Sequence, residues 1–291
     1  MKAAKFNYIL AESIDQVVEA LDKGDGEAIV IAGGQTLMPM LSMRLARPET
    51  VIDINKIAEL SGIDVAANEI VIKACTRQAE ALAAAEVRTR LPLLAKAIAY
   101  VGHQQTRNRG TLGGSLSHGD PASEIPLAAL AMDAHVCLRS AAGTRQVAMA
   151  DYFLGPMMTA RTDNEVLLSV HFPIPLAGAR VGTAFHEVSE RRGDFAVVAA
   201  AALIHLDANG ICTHAALAIG GADSVPLRMT VVEDALRGGK PEPDGIEAAL
   251  GGIEAALTPG NDQHASAAYR RRVARVLAER ALKDAVAEAQ K

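Results

Sequence analysis

The chain has no tryptophan, and its aromatic residues amount to only 3% of 291 positions. A ligand site built from aromatic stacking platforms is therefore not expected, and alanine and branched aliphatics must build the core. The three cysteines, Cys75, Cys137 and Cys212, lie far apart. That spacing argues against a disulfide framework, a thiolate metal motif or an iron–sulfur site, and it favours a reducing compartment. A basic surplus is also missing: the formal net charge is −5 and the pI is near 5.9, so nucleic acid is not an expected partner. No segment approaches the roughly 20 apolar residues of a membrane span. The opening MKAAKFNYILAES has no apolar signal core, and a cytoplasmic protein without a membrane span is expected.

Half the residues are hydrophobic, enough for a sizeable core, and the length allows two domains. The N-terminal pattern predicts a strand in KFNYILAE, a helix from the N-cap Ser13 to Gly24, and a buried strand in EAIVIAGG. A helix in TLMPMLSMRLARP follows, tolerating Pro39 because it falls in the first turn, and then a strand in ETVIDINKI. This β-α-β-α-β rhythm suggests a small mixed sheet. A hairpin around Asn68 and two helices, RQAEALAAAEV and LPLLAKAIAYVG, lead into the glycine-rich stretch RNRGTLGGSLSHGDPASEIP, which interrupts the regular pattern. A helix in LAALAMDA and strands in HVCLRS, TRQVAM and EVLLSVHFPIP complete a second α+β unit. Beyond Pro175 come two strands around an Asn209-Gly210 turn and then mostly alanine-rich helix. The expected domains are 1–176, with subdomains of about 1–57 and 58–176, and 177–291.

Neither a Rossmann G-x-G-x-x-G nor a Walker lysine loop is present. Two shorter elements remain, AGGQT at Ala32 to Thr36 and TLGGS at Thr111 to Ser115. In each, paired glycines remove the Cβ atoms that would hold a ligand off the backbone, and a hydroxyl residue follows. At the first, the amides of Gly33 to Leu37 would point outward at a helix N-terminus, where the dipole favours an anion such as a diphosphate. Taken singly, either element is better read as a turn; one in each unit suggests a ligand held between them.

Other groupings have plainer readings. His103, His118, His171, His186, His205 and His214 form no i, i+4 pair and no close cluster with Cys or carboxylates, so no metal site is expected. Ser115, Ser117, His118 and Asp120 lack a G-x-S-x-G elbow. The methionines of LMPMLSM read as core. The RNR at Arg107 to Arg109 could neutralise a phosphate or form a charged loop face.

The segments IAGGQTLMPMLSMRLARPETVIDI and RNRGTLGGSLSHGDPASEIPLAALAMDA closely resemble the FAD-binding medium subunit of the molybdenum hydroxylases. That group includes carbon monoxide, N-heterocycle and xanthine dehydrogenases. GDFAVVAAAA and ALAIGGADSVPLRM extend the likeness over nearly the whole chain. The resemblance implies an α+β fold of the vanillyl-alcohol-oxidase (PCMH) type, in which two α+β subdomains hold FAD, with a smaller C-terminal α+β domain of antiparallel sheet and helices. It implies that Val30, Ile31, Ala32, Gly33, Gly34, Gln35, Thr36 and Leu37 form the diphosphate loop. It makes Thr111, Gly113, Gly114 and Ser115 a second loop along the cofactor, with His118 inside that segment. Glu124, with Asp120 as the second candidate, falls on an acidic position suited to ribose hydroxyls, and Leu167 on a backbone contact to the flavin ring. Where many relatives carry a ring-facing tyrosine and lysine, this chain has Phe185 and His186. The implied partners are a large molybdopterin subunit and a small subunit with [2Fe-2S] clusters, in a dimer of heterotrimers that passes electrons through FAD to an external acceptor. No residue of this chain is then catalytic toward the organic substrate, an N-heterocycle or similar aromatic. A self-sufficient flavin oxidase and a non-catalytic nucleotide-binding assembly subunit are the alternatives.

Overall fold

A computed structural model describes residues 2–174 and 179–291; the boundary expected near residue 177 lies outside them. The first unit runs β1 (Asn7–Leu10), α1 (Ile14–Gly24), β2 (Ala28–Ile31), α2 (Leu37–Met43) and β3 (Thr50–Asp53). Ser13 caps α1 by accepting from the Gln16 amide, and Asp25 rather than Gly24 takes the left-handed position that ends it. Pro39 sits in the first turn of α2, where its missing N–H costs no helical bond. The sheet has the order β1-β3-β2 and is parallel throughout, not mixed as expected. Each strand-to-strand step passes through a helix, which returns the chain in the same direction.

The second unit begins with β4 (Ile63–Val65) and β5 (Glu69–Lys73), an antiparallel pair turning through Asn68. Then come α3 (Gln78–Ala83), α4 (Ala85–Arg90), α5 (Pro92–Tyr100), α6 (Gln104–Arg109), α7 (Leu112–His118) and α8 (Glu124–Ala131). The run expected as one helix is broken by the extended backbone of Ala84. The glycine-rich stretch is not an interruption but mostly helix. Leu112 and Leu116, one turn apart on one face of α7, are both fully buried, and their burial stabilises a helix that its glycines disfavour. The strands β6 (His135–Ser140), β7 (Gly143–Ala148), β8 (Phe153–Gly155), β9 (Met158–Thr159) and β10 (Val166–Pro173) follow. Antiparallel pairing gives the order β4-β5-β10-β6-β7, with β8 and β9 a separate ribbon.

The remainder comprises β11 (Arg180–Val188), β12 (Val198–Leu206), β13 (Cys212–Gly220), β14 (Leu227–Arg228), α9 (Thr230–Leu236), α10 (Pro243–Ala249) and α11 (Ala267–Ala289). Its four strands pair antiparallel in chain order. This sheet is buried on both faces, which is why VVAAAALI reads as an unbroken apolar run. Phe185, Ala199, Ala201, Ala216 and Ala218 pack into the core of the second unit. The alternate residues Ala184, Ala200, Ala202, Leu217 and Ile219 pack with α9 to α11. Alanine on both faces permits close approach. At Gly182 any Cβ would overlap the Ala285 carbonyl oxygen of α11.

Candidate functional site

Between the parallel sheet and α7 lies a cleft of about 560 Å³, within the range of small-molecule and cofactor sites. One wall is the C-terminal end of β2 and the turn into α2, the edge of a parallel sheet at which ligands bind in open α/β folds. Five consecutive amides there, from Gly33 to Leu37, donate no hydrogen bond to protein among the described residues. Gly34 holds φ +70°, a conformation natural to glycine, and this reorients the chain into α2. The turn is braced from behind: the Asn55 amide donates to the Ala32 carbonyl at 2.8 Å and to Asp53 at 2.6 Å. Arg77 donates to Asn55 at 2.7 Å and to the Arg109 carbonyl at 2.6 Å. Burial raises the Asp53 carboxyl's pKa, but bonds from Asn55 and Tyr8 outweigh that and hold it below its ordinary value.

The facing wall is built differently. The first-turn amides of α7 are all engaged: Leu112 donates to the Thr76 carbonyl, Gly113 to Ala74, Gly114 to the Thr111 hydroxyl and Ser115 to the Thr111 carbonyl. The two glycine pairs, alike in sequence, are therefore unlike in chemistry. Only the first presents open donors. The glycines also divide their roles. A Cβ on Gly33 would overlap the Arg109 carbonyl oxygen, and one on Gly113 would lie 2.7 Å from the Ala74 carbonyl oxygen, so these two let segments of protein meet. A Cβ on Gly114 would meet the Thr111 hydroxyl at 2.8 Å and, beyond its own helix backbone, no other atom within 4 Å among the described residues.

Val30, Ile31, Ala32, Gly33, Gly34, Gln35, Thr36 and Leu37 all line the cleft, as do Thr111, Gly113, Gly114, Ser115, His118, Glu124 and Leu167. Asp120, Phe185 and His186 do not. The Asp120 carboxylate turns back to accept from the Ala122 amide at 2.8 Å. Strand alternation separates the other two. Phe185 points into the core against Tyr100, with ring centroids 5.3 Å apart, while His186 points the opposite way and meets Asp284 of α11 at 2.8 Å. Sequence reasoning also missed lining residues. Gln78 is buried, with an Oε1 that has no hydrogen-bond partner among the described residues. Phe195, 61% exposed, is the C-terminal unit's contribution to the lining among the described residues. Phe195 lies in the recognisable GDFA segment, but nothing local marks it as facing a cleft.

Burial pushes the Glu124 carboxyl up to about 7, and the neighbouring Asp120 charge acts in the same direction. Glu187, on the face of β11 opposite His186, is pushed up to about 8 by burial and by its proximity to Glu124. Its Oε2 is buried without a hydrogen-bond partner among the described residues. Two carboxyls with raised pKa values thus stand close together where the second unit meets the C-terminal sheet. One further cluster corrects the expectation for histidine: His135 and His171 lie together with Glu69 on the outer face of the five-stranded sheet, away from the cleft.

Residues 4–175 match the family described as "FAD binding domain in molybdopterin dehydrogenase", and residues 183–285 match the "CO dehydrogenase flavoprotein C-terminal domain". The chain belongs to the FAD-binding medium subunits of the molybdenum hydroxylases. Subunit alpha of the 6-hydroxypseudooxynicotine dehydrogenase complex of Paenarthrobacter nicotinovorans is 35% identical, over 98% of this chain and 96% of that one. The glyceraldehyde dehydrogenase medium chain of Sulfolobus acidocaldarius is 34% identical, over 98% and 99%. Among solved structures, a carbon monoxide dehydrogenase from Hydrogenophaga pseudoflava superposes with a TM-score of 0.95 at 34% identity, covering 99% of both chains. This medium subunit is accordingly an oxidoreductase component with FAD as its cofactor. Among the described residues no helix is long and apolar enough to cross a membrane.

Proposed function

We propose that the chain holds FAD where electrons, taken from a substrate at a large molybdopterin subunit and relayed by [2Fe-2S] clusters of a small subunit, are collected and passed to an external acceptor. The observation that carries this reading is the row of open amides from Gly33 to Leu37 at the head of α2, which suits a diphosphate. The opposite wall fits the rest of the cofactor: Gly114 leaves room beside Ser115, and Glu124 is among the residues lining the cleft, where its carboxyl would hydrogen-bond sugar hydroxyls. When bound, FAD supplies the conversion of one-electron arrivals into two-electron delivery. The residues of this chain bind and orient it: the amides grip its phosphates, the Asn55–Arg77 network keeps them aimed, the Leu167 backbone and His118 lie along its length, and Phe195 shields the mouth. No side chain here acts as acid or base on the organic substrate.

The partners we infer are the two subunits named above, assembled as a dimer of heterotrimers. We place the protein in the cytoplasm, in keeping with three free cysteines, two of them buried. For the substrate we assign an N-heterocycle or similar aromatic, supported by the name of the relative at 35% identity. The relative at 34% bears an aldehyde's name, so a substrate panel for the native complex includes glyceraldehyde and carbon monoxide. Turnover of either, with no heterocycle oxidised, overturns that assignment.

The deciding experiment is the visible spectrum of the purified chain, with acid release and chromatography of what it holds. One equivalent of non-covalent FAD is expected, and Gly33→Val and Gly114→Val are each expected to lose it. Gly114→Val is the cleaner variant, because Gly33→Val also forces the Arg109 segment away. Full FAD occupancy in folded Gly114→Val and in Gly34→Val, which a valine at φ +70° would distort, overturns the site. A covalently attached flavin would point to a self-sufficient oxidase, and no flavin in the native complex to an assembly subunit.

A further inference from the structure

The outer face of the five-stranded sheet carries a group that the flavin reading does not use. In β10, Val170 and Phe172 point into the core and are fully buried, so the alternate residues Ser169 and His171 point outward. His171 stands directly opposite His135 of β6, and diagonally across β5 from it is Glu69. The two imidazoles stack with centroids 4.6 Å apart and planes at 21°. His171 Nδ1 lies 3.3 Å from a Glu69 carboxylate oxygen, and its Nε2 lies 3.0 Å from the Ser169 hydroxyl. One ligand atom from each of Glu69, His135 and His171 falls within 4.8 Å of the others.

From this geometry we propose that Glu69, His135 and His171 form a binding site for a zinc-class divalent transition-metal ion. The donor set, two imidazole nitrogens and one carboxylate oxygen, matches three-ligand protein sites whose fourth position is left to water. Tetrahedral ligation with bonds of about 2.1 Å puts neighbouring donor atoms about 3.4 Å apart. Glu69 and His171 already stand at that separation, and the remaining gap is closed by rotating the His135 side chain. Ser169 supplies the outer support: with Nε2–H donating to its hydroxyl, His171 directs the Nδ1 lone pair toward the Glu69 oxygen. Without the ion, Nδ1–H donates to Glu69 and the Ser169 hydroxyl donates to Nε2, so metal binding displaces the Nδ1 proton and shifts the tautomer. The register of three neighbouring strands fixes all three Cβ positions, so the site is preformed rather than assembled from loops. None of the three residues lines the flavin cleft, and metal and FAD should bind independently.

The test is equilibrium dialysis of the untagged, FAD-loaded full chain against micromolar zinc chloride in a non-chelating buffer, with magnesium chloride as control. One equivalent of zinc and no magnesium should be retained. Glu69→Gln and His135→Asn should each weaken zinc binding roughly tenfold to a hundredfold, the scale on which even outer partners of metal ligands act. The His135→Asn/His171→Asn pair should abolish it, with FAD content unchanged. All three positions are on an outward sheet face, and a thermal melt verifies that each variant is folded. Saturable zinc binding should also raise the melting temperature of the wild type and not of the double variant. No saturable zinc binding by the wild type, or undiminished binding by the folded double variant, overturns the proposal.

Discussion

A single carboxyl illustrates how burial without a partner sets behaviour. Glu187 has one oxygen buried and unpaired among the described residues, and Glu124 beside it discourages a second negative charge. Its pKa in the folded chain is raised to about 8 from the ordinary glutamate value of 4.5. The folded state therefore holds more protons than the unfolded state between those values. The contribution of Glu187 to stability must fall as pH rises through that window. Glu187→Gln keeps the shape and removes the titration, so the variant should melt at a higher temperature than wild type at pH 8, with the difference vanishing toward pH 4.5. Parallel melting curves from pH 5 to 8 for the two proteins would refute this. The open amides of Gly33 to Leu37 show the same principle in reverse: there the unpaired groups line a cleft, where a ligand can satisfy them.

The element that shows most clearly what capping contributes is α7. It has only seven residues and two glycines in its first turn, so its intrinsic propensity is poor. It persists because Leu112 and Leu116 are buried and because Thr111, itself 2% exposed, accepts from the Gly114 amide at 3.0 Å. Thr111→Val keeps the volume and deletes the acceptor. It should cost about 1 kcal/mol, the usual worth of an N-cap, and read out as a lower denaturation midpoint. Because α7 is one wall of the cleft, FAD should also dissociate faster from this variant. An unchanged midpoint would mean that packing alone holds the helix.

At the scale of the whole molecule, a few polar ties position the C-terminal sheet and helices over the second unit. Arg228 makes a two-pronged contact with the buried Glu233 at 2.6 and 2.9 Å and reaches Asp133 and the Leu130 carbonyl at the end of α8. Glu233 is only 4% exposed. Removing the guanidinium by Arg228→Leu strands a buried charge, and the expected loss is about 3 kcal/mol or more, since breaking a buried pair on one side costs more than the pair contributes. Arg228→Leu combined with Glu233→Leu should recover part of that loss, as a double-mutant cycle by chemical denaturation would show. Lys96 makes a second tie, from α5 to Glu288 and the Thr183 carbonyl at 2.7 to 2.8 Å. It is more exposed and worth correspondingly less.

Much of this was legible in the sequence because it is local. Ser13 as a cap, Pro39 confined to a first turn, the strand in HVCLRS and the Asn209-Gly210 turn each act over a few residues, and each stands where the pattern placed it. The two glycine segments and the long segments around them were enough to suggest the family. Tertiary structure decided what no local pattern encodes. It made one glycine pair a row of open donors and the other a fully bonded helix start. It turned Phe185 and His186 to opposite faces of β11, away from the cleft, through strand alternation. It brought Glu124 beside Glu187, and Glu69 beside His135 and His171, from positions scores of residues apart in the chain. Periodicity and capping are short-range and written in neighbouring residues; strand register and the packing of one unit on another follow from burying all the apolar faces at once.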